Sequence, residues 1–328
     1  MPQNEVMRAT VVGAGVAGLT TALTLAERGA NVTLLERSRE IGGNASWLAG
    51  GMLAPFCEGE SAPQSVVELG RGAIDWWDAR VPGVTRQGTL VVAPTRDVGE
   101  IDRFAARTKS RIWVDEARIA VLERDLAGRF RTGLFFADEG HLDPRVALST
   151  LAERLRAKGG EIRFGTEGES RGAADVVIDC RGWAARKALP ELRGVRGEMM
   201  RIRSREVRLA RAVRFLHPRI PLYIVPRAND EFMIGATMIE SAEKGAVSVR
   251  SAIELLSAAY ALHPAFGEAE IIEMSADVRP AYPDNGPRIE ERGDRIFVNG
   301  FYRHGFLLAP AFAERAATLA FERSRALV

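Results

Sequence analysis

The stretch VVGAGVAGLTTALTLAERGANVTLLER, residues 11–37, decides the fold. Ala9 to Val12 is a short β-branched run that ends in Gly13-Ala14-Gly15-Val16-Ala17-Gly18, and Leu19 to Arg28 then reads as a helix with few breakers. After Gly29, Asn31 to Leu35 reads as a second strand ending in Glu36, 23 positions beyond Gly13. Strand, turn, helix and strand make a βαβ unit. Gly13 permits the tight turn, Gly15 lets the backbone approach a pyrophosphate, and Gly18 allows the helix to pack on the strand. The helix N-terminus holds the anion. Glu36 accepts hydrogen bonds from a ribose 2′-OH and would repel a 2′-phosphate, which disfavours NADP. The motif in this setting predicts a dinucleotide but leaves FAD and NAD both open.

Working outward, Arg37 to Pro55 reads RSREIGGNASWLAGGMLAP, where an NAD-binding domain would normally proceed to another helix. So Gly- and Ser-rich a segment lets backbone amides close over a long cofactor. Trp47, Leu48, Met52 and Leu53 are too apolar for a freely solvated loop. Ala174 to Arg181 (ADVVIDCR), running into Gly182-Trp183, and Phe297 to Gly300 (FVNG) are further buried-type strands far along the chain. A sheet assembled from such distant pieces makes the cofactor domain discontinuous. Thr89–Ala93, Glu198–Arg203, Leu222–Val225 and Phe232–Ile234 are strand-like runs without βαβ helices between them, which predicts a second, mixed or antiparallel sheet.

The chain has 328 residues, room for two domains at about 100 to 200 residues each. Its 46% hydrophobic and 27% charged residues exclude collagen, disorder and coiled coil. Net charge is +2, which gives no reason to expect a nucleic acid. The two cysteines, Cys57 and Cys180, lie in different neighbourhoods without metal-ligand spacing, and His141, His217, His263 and His304 have none either. Neither a membrane span nor a basic leader is visible, so a cytoplasmic protein is expected.

These stretches, together with Gly140-His141-Leu142-Asp143-Pro144-Arg145, Arg196-Gly197-Glu198, Tyr223-Ile224-Val225-Pro226-Arg227, Gly235-Ala236-Thr237-Met238, Val278-Arg279-Pro280 and Gly300 to Pro310 (GFYRHGFLLAP), resemble the FAD-dependent amino acid oxidases of the D-amino acid oxidase and glycine oxidase type. The likeness runs along nearly the whole chain and is nearest to the glycine oxidases of thiamin biosynthesis. It implies an α/β fold: a discontinuous Rossmann-like FAD domain from residues 1–80, 141–195 and 283–328, and a substrate domain from 81–140 and 196–282. Two departures stand out. The strand ending reads Asp179-Cys180-Arg181-Gly182, which changes the polarity beside the flavin, and the segment from 161 to 174 is short, which weakens the expected grip on adenine.

The resemblance implies FAD held without a covalent bond. Its contacts fall on Gly13, Gly15, Val16, Ala17 and Gly18, on Glu36 and Arg37, on Gly43, Asn44, Ala45 and Ser46, and on Gly50, Gly51 and Met52. Later segments add Cys180, Gly182 and Trp183, then Arg279, and finally Tyr302, Arg303, His304, Gly305, Phe306 and Leu307. Because a planar guanidinium suits a carboxylate best, Arg279 is expected on the carboxylate of a small amino acid, with Arg303 second. Tyr223 would donate to the same group, and Met238 would narrow the pocket together with Phe301 and Tyr302. The implied reaction is oxidative deamination of glycine or another small amine, with dioxygen reduced to hydrogen peroxide. No nucleic acid or membrane partner is expected, and a homo-oligomer is. Neighbouring possibilities are a flavin dehydrogenase, including a cyanide-forming glycine dehydrogenase subunit, a sarcosine-oxidase-like enzyme with covalent flavin, and a non-catalytic flavin-binding protein.

Overall fold

The computed structural model describes residues 6–168, 174–217 and 221–326. Its strands, in chain order, are β1 Arg8–Val12, β2 Asn31–Glu36, β3 Met52–Leu53, β4 Thr89–Val92, β5 Ile112–Asp115, β6 Thr132–Phe136, β7 Gly140–His141, β8 Glu161–Phe164 and β9 Val176–Asp179. They continue with β10 Arg193–Arg203, β11 Ala212–Phe215, β12 Leu222–Pro226, β13 Glu231–Gly235, β14 Ile239–Glu240, β15 Glu270–Ala281, β16 Arg288–Arg292 and β17 Arg295–Asn299.

The first sheet has the order β16-β17-β9-β1-β2-β8. All neighbours are parallel except β16 and β17, which form an antiparallel pair. β9 is buried at every position, as a parallel strand covered on both faces must be. Helix α1, Val16–Glu27, begins three residues before the start expected from the sequence, because Gly15 is its N-cap and the glycine turn passes directly into the first helical turn. Residues Val16 to Ala26 are buried, since the helix packs on the sheet and is overlaid by helices Pro144–Ala157 and Gly305–Arg325. Asp143 caps the former by accepting from the Arg145 N–H at 2.8 Å.

The second sheet follows the order β14-β10-β13-β12-β11-β4-β6-β5, with β15 on the other edge of β10. It is antiparallel except for β4 beside β11. Alternation along β4 separates its two faces: Leu90 and Val92 join the core under helix Val249–Leu262, whereas Val91 packs with Ile101, Phe104 and Phe136 on the opposite side. The first sheet draws on 8–36, 161–179 and 288–299 and the second on 89–136 and 193–281. The boundary drawn between 195 and 196 lies inside β10, which starts at Arg193 and pairs with β15 from that residue onward. Between Glu161 and Ala174, residues 169–173 lie outside the described residues. What precedes them continues the first sheet, with Gly165 and Thr166 donating to the carbonyls of Ser38 and Glu36.

The sheets meet at the end of β15, where the Tyr302 N–H donates to the Pro280 carbonyl at 2.9 Å and Ala281 bridges Phe301. This junction brings the loop ahead of the C-terminal helix against the strand carrying Arg279.

Candidate active site

One cavity of about 540 Å³ runs from the end of β2 to β15. At its first end Gly13 has φ +101°, and a Cβ there would lie 2.8 Å from the Cys180 carbonyl oxygen. A Cβ on Gly18 would stand 1.7 Å from the Gly13 carbonyl oxygen, so helix and turn touch backbone to backbone. Gly18 does not line the cavity and serves this packing, whereas Gly13, Gly15, Val16 and Ala17 do line it. Gly15 brings no side chain to the helix N-terminus, and the Val16 N–H donates instead to Ser46 Oγ at 3.0 Å. Glu36 is held by two amides, Ala14 at 2.7 Å and Ser38 at 2.9 Å, one on each carboxylate oxygen. Each oxygen keeps a lone pair for a ribose hydroxyl. Backbone pressed close, a helix N-terminus without a capping side chain at Gly15 and a fixed carboxylate fit the pyrophosphate and ribose of a dinucleotide. Arg37, Gly43, Asn44, Ala45, Gly50, Gly51, Met52, Cys180, Gly182 and Trp183 border the same cavity.

The altered strand end is internally neutralised. Asp179 is fully buried and pairs with Arg181 at 2.6 Å and Arg295 at 3.4 Å. Burial, reinforced by Asp179, raises the Cys180 thiol, which keeps it protonated. Cys57 is raised in the same direction by burial.

At the other end Arg279 donates from Nη1 to the Thr237 carbonyl at 3.0 Å. It makes no ion pair with a carboxylate among the described residues, because Asp277, two positions earlier on β15, is engaged by Lys244 at 2.6 Å. Tyr223 borders the cavity with Arg279, its ring so near the loop before β3 that a Cβ on Gly50 would be 2.7 Å from it. Burial raises its phenol and Arg279 opposes that, so the hydroxyl stays a donor near neutral pH. Met238 is 49% exposed, at the rim; its sulfur accepts from the Tyr302 hydroxyl at 3.2 Å and lies 3.7 Å from Arg303. Phe301 lines the cavity but is packed edge-on against Phe312.

Arg303 points at a carboxylate of the protein itself. Its Nε lies 2.8 Å from Glu58 Oε2, and it also donates to Ser61. Glu58 ends the short helix α2, Pro55–Glu58, and receives Arg214 at 3.4 Å and His304 Nδ1 at 3.3 Å as well. Burial alone would raise Glu58, but Arg303, Arg214 and His304 outweigh it and bring it down to about 2. Burial pushes His304 down to about 4 against the pull of Glu58, so the imidazole is neutral at pH 7. Gly305, Phe306 and Leu307 follow along the same wall. Glu58, Arg214, Thr237 and Lys244 were not identified from the sequence. Arg214 left one signal, a charge inside the apolar strand Ala212-Val213-Arg214-Phe215, while Glu58 is one of 43 acidic residues with none.

A discontinuous dinucleotide fold whose cavity runs on to Tyr223 and Arg279 fits a flavin oxidoreductase class, and comparison with known proteins agrees. The family profile described as FAD dependent oxidoreductase, DAO, matches residues 8–319. The chain is 58% identical over 312 residues to a protein of Rhizobium etli provisionally named thiamine biosynthesis oxidoreductase ThiO, covering 95% of each. It is 27% identical over 350 residues to a glycine oxidase of Pseudomonas aeruginosa, covering 95% of this chain and 94% of that one. The crystal structure of glycine oxidase from Geobacillus kaustophilus superposes with a TM-score of 0.80 at 23% identity, covering 97% of this chain and 95% of that chain. The chain belongs to the DAO family of FAD-dependent oxidoreductases. Within it, the protein is an FAD-dependent enzyme of the glycine oxidase and ThiO type, acting on amino donors. No helix among the described residues is long and apolar enough to cross a membrane.

Proposed function

We propose that the protein oxidises the CH–NH2 group of glycine or a comparably small amine to the imine, which hydrolyses to a 2-oxo acid and ammonia, and that this serves thiamin thiazole synthesis. The observation that carries the reading is Arg279, a guanidinium without a carboxylate partner among the described residues that borders, with Tyr223, the cavity into which the dinucleotide cradle opens. FAD, held by the cradle from Gly13 to Glu36, would supply the redox chemistry between the amine and dioxygen. Arg279 would hold the substrate carboxylate while the Tyr223 hydroxyl donates to it, fixing which face of Cα is presented. Glu58, Arg303 and His304 border the same cavity, with Glu58 already matched by Arg303. Cys57 and Cys180, both buried with raised thiols, support a non-covalent flavin. A homo-oligomer remains our expectation.

The test is to add glycine, sarcosine and D-alanine separately to purified holoenzyme in air. Peroxide and ammonia in equal amounts are expected with glycine, and peroxide and methylamine in equal amounts with sarcosine. Flavin reduction without peroxide would transfer the assignment to a dehydrogenase with another acceptor, and the absence of reduction by all three would overturn it.

A further inference from the structure

Three consecutive residues on β10, Arg196-Gly197-Glu198, lie beneath the substrate end without entering the chemistry. The middle one is a space. An ideal Cβ on Gly197 would stand 2.2 Å from Arg279 Nη2, 2.3 Å from its Cζ and 2.6 Å from Nη1, so the guanidinium lies flat on the bare backbone of β10. The nearest atoms are all from that one group, and Gly197 does not have a positive φ.

Its neighbours fasten what the guanidinium touches next. Glu198 is fully buried; its N–H donates to Thr237 Oγ1 at 2.9 Å and its carbonyl accepts from the Thr237 N–H at 3.2 Å. The Thr237 carbonyl is the acceptor for Arg279. Arg196 pairs with Glu198 at 2.8 Å and donates to the carbonyls of Glu243, Gly245 and Ala246 at 2.9, 3.0 and 2.6 Å. It thereby closes the loop that carries Lys244, the partner of Asp277. A buried ion pair of this kind is satisfied at every strong donor and acceptor, as a rigid support requires.

We infer that Arg196-Gly197-Glu198 is a positioning unit for the substrate clamp: Gly197 leaves the bed in which the Arg279 guanidinium lies, and Glu198, through Thr237, sets its height and direction. The inference rests on the reading of Arg279 as the carboxylate ligand. Its consequence is that a single methyl group on β10 misplaces the clamp without touching flavin, substrate or fold.

Gly197→Ala tests this, alone and combined with Arg279→Ala, with acetate as the binding probe read through the visible flavin spectrum and with KM and kcat for glycine. Misplacing a binding group by about an ångström costs on the order of 10- to 100-fold, and that weakening is expected in acetate Kd and glycine KM, with a smaller loss in kcat. Flavin content and Tm should stay close to wild type. In the Arg279→Ala background Gly197→Ala should add nothing, because the group it displaces is gone. A Gly197→Ala protein that is insoluble alone but folds with Arg279→Ala reports the same collision. Wild-type acetate binding in Gly197→Ala, weakening that persists without Arg279, or insolubility in both backgrounds would overturn the inference. If Arg279→Ala itself leaves acetate binding unchanged, the carboxylate reading fails first and takes this inference with it.

Discussion

Glu58 Oε2 lies 2.8 Å from Arg303 Nε, so Arg303 is already neutralised by a residue of its own chain, whereas Arg279 has no carboxylate partner among the described residues. The two guanidiniums border one cavity but are not equivalent. Arg279 contacts the Thr237 carbonyl and no carboxylate among the described residues, and Arg303 shapes the wall through Met238, Ser61 and Glu58.

Glu58→Gln should therefore destabilise the protein at neutral pH. The carboxyl is held at about 2 rather than 4.5, a difference worth roughly 3 kcal/mol. Since the folded value is the lower, this stability is complete above pH 4.5 and is lost as pH falls towards 2. Urea unfolding of both proteins across that range should show the gap closing, and a gap independent of pH would refute the charge argument.

Glu139 has the opposite sign. It is fully buried, accepts from the Cys57 N–H at 2.7 Å, and burial raises its carboxyl to about 7. The folded chain then binds a proton that the unfolded chain releases between pH 4.5 and 7, and stability falls across that window by roughly 3 kcal/mol. Glu139→Gln keeps the shape and removes the penalty. Its Tm should exceed wild type at pH 8 and converge with it near pH 4.5; equal Tm values at pH 8 would exclude this.

Gly18→Ala should abolish flavin binding or folding, because its methyl meets the Gly13 carbonyl backbone, which cannot give way. Gly72→Ala, whose Cβ meets nothing within 4 Å, is the control. Visible flavin absorbance per mole of purified chain measures both. Wild-type flavin content in Gly18→Ala would mean that the helix can lift from the turn.

Selectivity for small substrates should be modest. Glycine and sarcosine are expected to exceed D-phenylalanine in kcat/KM, with L-alanine inert. Because Met238 is half exposed at the rim, Met238→Ala should improve D-alanine relative to glycine by about tenfold or less, the scale of one apolar group in a pocket. D-phenylalanine as the best substrate of the wild type would end the small-amine reading.

How much of this was legible follows from how far apart the cooperating atoms are in the chain. The cradle from Gly13 to Glu36 lies within one βαβ unit, where backbone geometry ties each glycine to its neighbour's position. Spacing alone therefore located the turn, the helix N-terminus and the acidic strand end. Even there the start of α1 was misjudged by three residues, because the glycine turn is half helical already. The short apolar runs at 89–93, 198–203, 222–225 and 232–234, with no βαβ helices between them, likewise announced strands.

The sequence by itself determined the dinucleotide cradle and the strand-forming runs of the two sheets, because each depends on contacts between near neighbours. Only the tertiary structure decided the pairing: that Arg303 and Arg214 converge on Glu58, that Asp277 goes to Lys244, and that Arg279 lies on Gly197 with no carboxylate partner among the described residues. Those partners come from α2, β10, β11, β15 and the loop before the last helix, joined by strand register across up to some 240 residues of chain. Charge acts through distance in space, and a sequence in which 45 basic residues face 43 acidic ones does not say which of them meet.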